Sequence, residues 1–238
     1  MESQLKEFLD RLQPATGVNL VSVVLYGSAA TGEFRAGQSD LNILCLVNHT
    51  DAKDLESLHA ISEWWIKKGN HPPLIFTRDE LNRSADVFAI ELLDMKASHR
   101  ILYGPDFLSD LEVPLRLHRL QVERELRTNW LRLRQAIIAA PLTEKSHLAL
   151  MTNSLSTFCS LFRHAVLALG EKMPATKREA VAAASKLTNS DASTFNQLLD
   201  LREGKSDAKS IAIEPSLHSY LAFVESITNE VDRRLEQS

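Results

Sequence analysis

Cysteine is scarce in this 238-residue sequence: Cys45 sits inside an apolar run, Cys159 on an apolar helix face, and neither belongs to a CxxC or Cys/His cluster. That excludes a disulfide framework and a thiolate metal site, and reads as two reduced, buried thiols. No run approaches the roughly 18 apolar residues a bilayer-spanning helix needs. Met1 to Leu9 is charged and helix-periodic rather than a basic region followed by an apolar stretch. The expectation is a cytoplasmic protein with no membrane partner. An excess of positive charge is missing too. Lys plus Arg number 27 against 31 for Asp plus Glu, a net charge of -4, so a long nucleic acid is disfavoured as a partner.

What is present divides the chain into two halves of different character. Leu5, Phe8, Leu9 and Leu12 fall at helical spacing before Pro14-Ala15-Thr16-Gly17 stops the pattern. Val18 to Tyr26 is an apolar, largely β-branched run ending at Gly27-Ser28, which predicts a strand entering a turn. Leu41 to Val47, broken only by Asn42, predicts a second buried strand. Asp51 to Lys68 carries Leu55, Leu58, Ile61, Trp65 and Ile66 at helical spacing, with Thr50 or Asp51 as N-cap and Gly69-Asn70 as the stop. A short third strand is predicted at Pro73 to Thr77, and Thr77-Arg78-Asp79-Glu80 has the form of a capping box.

Beyond Pro105 the strand signals end. Leu126, Trp130, Leu133 and Ile137 lie on one helix stripe, and Leu148, Met151, Leu155, Phe158, Phe162, Val166 and Leu169 on another. Patterns at Lys177 to Lys186 and Ser193 to Arg202 precede the polar stretch Glu203 to Ser210, and Leu217 to Val231 marks a last helix. The predicted fold class is α+β: residues 1–108 form a mixed sheet with helices, and residues 109–238 a helical bundle.

The segment that carries chemistry is Leu25-Tyr26-Gly27-Ser28, a ten-residue spacer, then Ser39-Asp40-Leu41-Asn42-Ile43-Leu44. Glycine followed by serine at the end of a strand lets backbone amides and a hydroxyl approach a phosphate with no Cβ in the way. Alternation on the second strand points Asp40 and Asn42 to one face, two oxygen donors toward the gripped phosphates. An ordinary hairpin turn, or Asp40 capping that turn, is the competing reading. Two polar side chains on one face of an otherwise apolar strand need partners if buried, which favours a ligand site.

Over roughly residues 18 to 104 the sequence resembles the DNA polymerase beta nucleotidyltransferase superfamily, and in its element order the aminoglycoside-type and related small bacterial enzymes. The resemblance implies transfer of a nucleoside monophosphate, AMP from ATP or the equivalent from another NTP, to a hydroxyl of a small molecule or protein. It further implies that Gly27, Ser28 and Ser39 bind nucleotide and that Asp40 and Asn42 bind Mg²⁺ and are catalytic. In the family two metal ions bridge three carboxylates and the triphosphate.

This chain departs from that pattern twice. Asn42 stands at the second carboxylate position, with a ligating oxygen but no charge, and Pro73-Leu74-Ile75-Phe76 offers no acid where the third is usual. Glu91 or Asp94 would substitute if Val87 to Met95 were extended, but Phe88, Leu92 and Met95 are spaced for a helix. The alternative implied by the missing acids is a catalytically impaired nucleotide-binding or interaction protein of the same fold, a pseudoenzyme. Elsewhere, the arginines from Arg116 to Arg134 are interleaved with Glu123 and Glu125, as on an ion-paired solvated face. His118, His147 and His164 read as surface or satisfied core residues, and no histidine completes an Arg-x₄₋₆-His ribonuclease motif. The oligomeric state stays open.

Overall fold

The computed structural model describes residues 1–30 and 40–236, without the side chains of Ser28 and residues 234–236. Two compact units result, Met1–Leu115 and Arg116–Ser238.

The first unit is built around a four-stranded sheet of β1 (Leu20–Tyr26), β2 (Asn42–Val47), β3 (Leu74–Thr77) and β4 (His99–Tyr103), in the order β3-β2-β1-β4. β1 is antiparallel to both β2 and β4, and β3 is parallel to β2. Side chains alternate between the two faces. Val23, Leu25, Ile43, Cys45 and Val47 join Leu5, Phe8 and Leu12 of α1 (Glu2–Thr16) and Ile61 and Trp65 of α3 (His59–Lys67) in one cluster. Val24, Leu44 and Leu46 join Leu81 of α4 (Arg78–Ser84), Leu92 and Met95 of α5 (Ala89–Ala97), and Phe107, Leu108 and Leu111 in the other. Because both faces are covered, β1 and β2 read as continuous apolar runs rather than alternating ones. Burial pushes the Cys45 thiol up to about 12, which makes it inert.

Several elements differ in detail from the sequence expectation. Pro14 lies inside α1, close enough to its end that the helix reaches Thr16. The predicted Asp51 to Lys68 helix is two helices, α2 (Ala52–Ser57) and α3, because the Leu58 N–H bonds the Leu55 carbonyl in a tight turn. That break buries Leu58 while Leu55 stays exposed. Asp51 is the α2 N-cap in a full capping box with Asp54, and Thr77 and Glu80 form another at α4. β4 was hidden in the sequence: it is a half-buried edge strand that begins with His99 and Arg100, so neither a long apolar run nor a clean alternation marks it.

The second unit contains α6 (His118–Ala139), α7 (Glu144–Ala168), α8 (Lys177–Thr188), α9 (Ser193–Arg202) and α10 (Ile213–Glu236) in a bundle-like arrangement. α7 is central, packed by the other four. Its core is aromatic: Phe195 stacks on Tyr220 with centroids 4.4 Å apart, and Phe162 meets Phe223 edge-on at 5.4 Å. The buried Tyr220 hydroxyl is satisfied by Ser154 Oγ at 2.9 Å. Arg127 pairs with Glu123 and Asp232, in keeping with an ion-paired solvated face on α6. His118 and His164 are buried core residues with ring nitrogens 3.1 Å apart.

Gly104 fixes where the chain leaves the sheet. It has φ 75°, and a Cβ there would lie 2.1 Å from the Val21 carbonyl oxygen of β1. Close by, the fully buried Ser22 hydroxyl reaches the carbonyls of Tyr103 and Pro105 at 2.9 and 2.8 Å. Gly104→Ala is expected to destabilise the N-terminal unit by roughly 1–3 kcal/mol through backbone strain. A lower urea midpoint at constant m-value checks this.

Candidate functional site

The polar groups gather at one end of the sheet, where β1 finishes and β2 starts. Tyr26, the last residue of β1, pairs with Asn42 on one side and His99 on the other. Residues directly opposite in a ladder share a face, so Asn42, Tyr26 and His99 form a polar rim at the end of the Val24/Leu44 face. Immediately after Tyr26 the chain turns through a short 3₁₀ segment, Gly27–Ala29. Gly27 has φ 77°, and a Cβ there would stand 3.2 Å from Asn42 Nδ2. A side chain at position 27 is thus disfavoured both by backbone conformation and by the neighbour.

Asp40 and Asn42 come together, although β2 begins only at Asn42 and Asp40 precedes it: Asn42 Nδ2 donates to Asp40 Oδ1 at 3.4 Å. The other carboxylate oxygen, Oδ2, lies 3.4 Å from His71 Nε2. Asp40 is 32% exposed and His71 81% exposed. Burial, and after it the charge on Asp40, pushes the Tyr26 phenol up to about 12. Its hydroxyl therefore keeps its proton at neutral pH and remains a donor. Ser39 lies outside the described residues, as does the side chain of Ser28.

Asn70 holds this arrangement. Its side chain is buried, and its Oδ1 accepts the Leu41 N–H at 2.9 Å. Asn70 Nδ2 reaches the Trp65 carbonyl at 3.5 Å, and its backbone N–H bonds the same carbonyl at 3.4 Å. Leu41 follows Asp40 and Asn70 precedes His71, so one buried hydrogen bond ties together the chain segments that carry the two side chains.

At the other edge, His99 Nε2 lies 3.1 and 3.2 Å from the Asp106 carboxylate oxygens, and Nδ1 faces the Met95 carbonyl at 3.0 Å. Asp106 also accepts from the Ser109 hydroxyl and from the Leu108 and Ser109 amides. Hydrogen bonding, first of all from Ser109, holds its carboxyl down at about 2. The contacts with the Met95 carbonyl and the Asp106 carboxylate fix the orientation of the His99 ring on the rim.

Sequence reasoning did not single out Tyr26, Asn70, His71 or His99. His71 carried a weak signal, a histidine just before Pro72-Pro73 and the third strand. The others are marked only by strand register and by a bond to a backbone amide.

The donor set decides how much metal this site can hold. β3 carries Leu74, Ile75, Phe76 and Thr77, none acidic. Glu91 and Asp94 lie on α5, a helix as their spacing predicts, and Glu91 is exposed. Asp40 is then the one carboxylate joined to Asn42 among the described residues. One charge with a neutral amide does not suit two divalent cations, but one carboxylate oxygen, one amide oxygen and a neighbouring imidazole suit a single ion. A separate group, His49, Asp51 and Asp54, lies beyond the opposite end of β2, where its members serve the α2 cap.

Residues 2–97 match the family model described as nucleotidyltransferase domain. Eleven chains of solved structures match as well. One is spectinomycin adenyltransferase AAD(9) from Enterococcus faecialis, solved with ATP and spectinomycin; it is 14% identical, with 97% of this chain and 99% of that chain covered and a TM-score of 0.54. No curated protein sequence matches. At that identity the likeness is one of fold, and it extends over both units. The domain match and the shared fold agree: residues 2–97 carry a nucleotidyltransferase domain.

Proposed function

We propose that the protein transfers a nucleoside monophosphate, AMP from ATP, to a hydroxyl group of a small molecule, with the Asp40/Asn42 face as its reacting centre. The observation that carries this reading is the placement of the Asn42 amide against the Gly27 turn, with the Asp40 carboxylate 3.4 Å from that amide. The family match supports nucleotidyl transfer in general, and the AAD(9) structure, with ATP and spectinomycin, supports a nucleotide and a small-molecule acceptor as the two ligands.

In this reading the Gly27-Ser28 turn receives the phosphates, since the missing Cβ leaves the backbone amides accessible. The Tyr26 hydroxyl stays protonated and is available as a donor on the same rim. Asp40 is the acceptor for positive charge or for the proton that the attacking hydroxyl gives up. A divalent cation held by Asp40 and Asn42, Mg²⁺ being usual in the family, would neutralise triphosphate charge when bound.

A second reading, a nucleotide-binding protein without transfer, draws on the fact that both Asp40 oxygens already face groups of the protein, Asn42 and His71. Calorimetric titration with ATP, with and without divalent cation, followed by pyrophosphate release over candidate acceptors, separates the two. Binding without release across a broad acceptor panel would favour the second.

Asp40→Ala is expected to lower pyrophosphate release by about 10²-fold or more, the scale of losing one aligned electrostatic group. Unaltered release would remove Asp40 from the reacting centre. Asn42→Asp adds a charge beside Asp40 and is expected to tighten Mg²⁺ by about tenfold. An unchanged calorimetric Mg²⁺ affinity would show that position 42 takes no part in holding the ion.

A further inference from the structure

We propose that His71 is the third donor of this site, and that it makes the site select a borderline transition-metal cation of the Zn²⁺ class over Mg²⁺. The proposal rests on reading the Asp40/Asn42 face as the nucleotide site and adds the identity of its ion. His71 lies just ahead of β3, and its Nε2 approaches Asp40 Oδ2 to 3.4 Å. Two donors bound at about 2.0–2.1 Å to a tetrahedral Zn²⁺-class ion lie about 3.3–3.4 Å from each other. The separation observed is that of two ligands of one such ion, and is longer than a direct charge-assisted hydrogen bond of about 2.8 Å.

The position of His71 is built rather than accidental. Residues before proline are restricted to extended conformations, and His71 precedes Pro72-Pro73, a stiff lead into β3. On its other side the buried Asn70 is fastened to the Leu41 amide, one residue from Asp40. The backbone is thus restrained on both sides of His71, while its imidazole stays open to solvent beside the Asp40 carboxylate.

The chemistry of the set gives the selectivity. Oxygen donors suit Mg²⁺, and the site has lost charge in that currency: Asn42 is neutral and β3 has no acid. Imidazole suits Zn²⁺ and its neighbours, which bind nitrogen tightly and need fewer anionic ligands. Asn42 can turn its amide to present Oδ1 in place of the Nδ2 now facing Asp40.

The test uses the full chain, free of any affinity tag, carrying His49→Ala to silence the His49/Asp51/Asp54 group. Co²⁺ serves as a spectroscopic probe for the Zn²⁺ class, with Mg²⁺ measured by calorimetry. The expected result is one Co²⁺ bound at least tenfold more tightly than Mg²⁺, with visible absorption bands of low coordination number. His71→Ala, at an exposed position that leaves the fold intact, should weaken Co²⁺ at least tenfold while changing Mg²⁺ little. His71→Asp should narrow the preference by restoring an oxygen donor. Asn70→Ala should weaken Co²⁺ through loss of positioning, with circular dichroism confirming that the unit stays folded. Equal affinities for the two ions, or Co²⁺ binding unaffected by His71→Ala, would overturn the assignment. ATP binding with Mg²⁺ supplied in excess is read separately: its absence would count against the nucleotide site, whereas a failed Co²⁺ preference with ATP binding intact would count against His71 alone.

Discussion

The antiparallel β1–β2 pair, covered on both faces, is the constraint on which the N-terminal unit depends. Helices α1 and α3 bury one face and α4 and α5 the other, so no side chain within the strands can be polar without a partner. Polar chemistry is driven to the strand ends. There the register sets Asn42 opposite Tyr26, with Gly27 one step further on, at the open end of the pair where the proposed site lies. The aromatic core of the helical unit plays a comparable part in the second half, but its rings serve packing, with the Tyr220 hydroxyl satisfied internally.

The proposed site differs in charge from the arrangement that the resemblance implies. The turn, the strand that follows and the spacing between them are retained, while the carboxylates fall to Asp40 with an amide beside it. Removing anionic ligands lowers the affinity of oxygen sites for hard cations. A nitrogen donor nearby changes which ion gains most, and His71 is placed where such a donor would act. Asn70 matters through its buried side-chain carbonyl oxygen, which couples the β2 entry to the approach to β3. Loss of a buried hydrogen bond leaves an unsatisfied amide, so the coupling has a cost if broken.

Much of this was legible in the sequence because it depends on local rules. The two apolar runs, the Gly27-Ser28 turn and the Thr77-Glu80 capping box follow from period-two alternation, cap chemistry and the freedom of glycine. The absence of an acid on the third strand and the helical nature of the Glu91 to Asp94 segment could be read in the same way, as could the turn from mixed sheet to helices after the first half.

What tertiary structure alone decided are the relations between residues distant in the chain. β4 is an edge strand that begins with polar residues, so only its pairing with β1 reveals it and sets His99 opposite Tyr26. His71 lies 31 positions beyond Asp40, and nothing in either local sequence records that a buried amide–backbone bond between Asn70 and Leu41 brings them together. Sequence periodicity determines which face a side chain takes; the partner across that face is chosen by packing, which sums many weak contacts over the whole unit. The metal preference proposed for the site belongs to that second kind of information, since it depends on a donor supplied from another strand's approach.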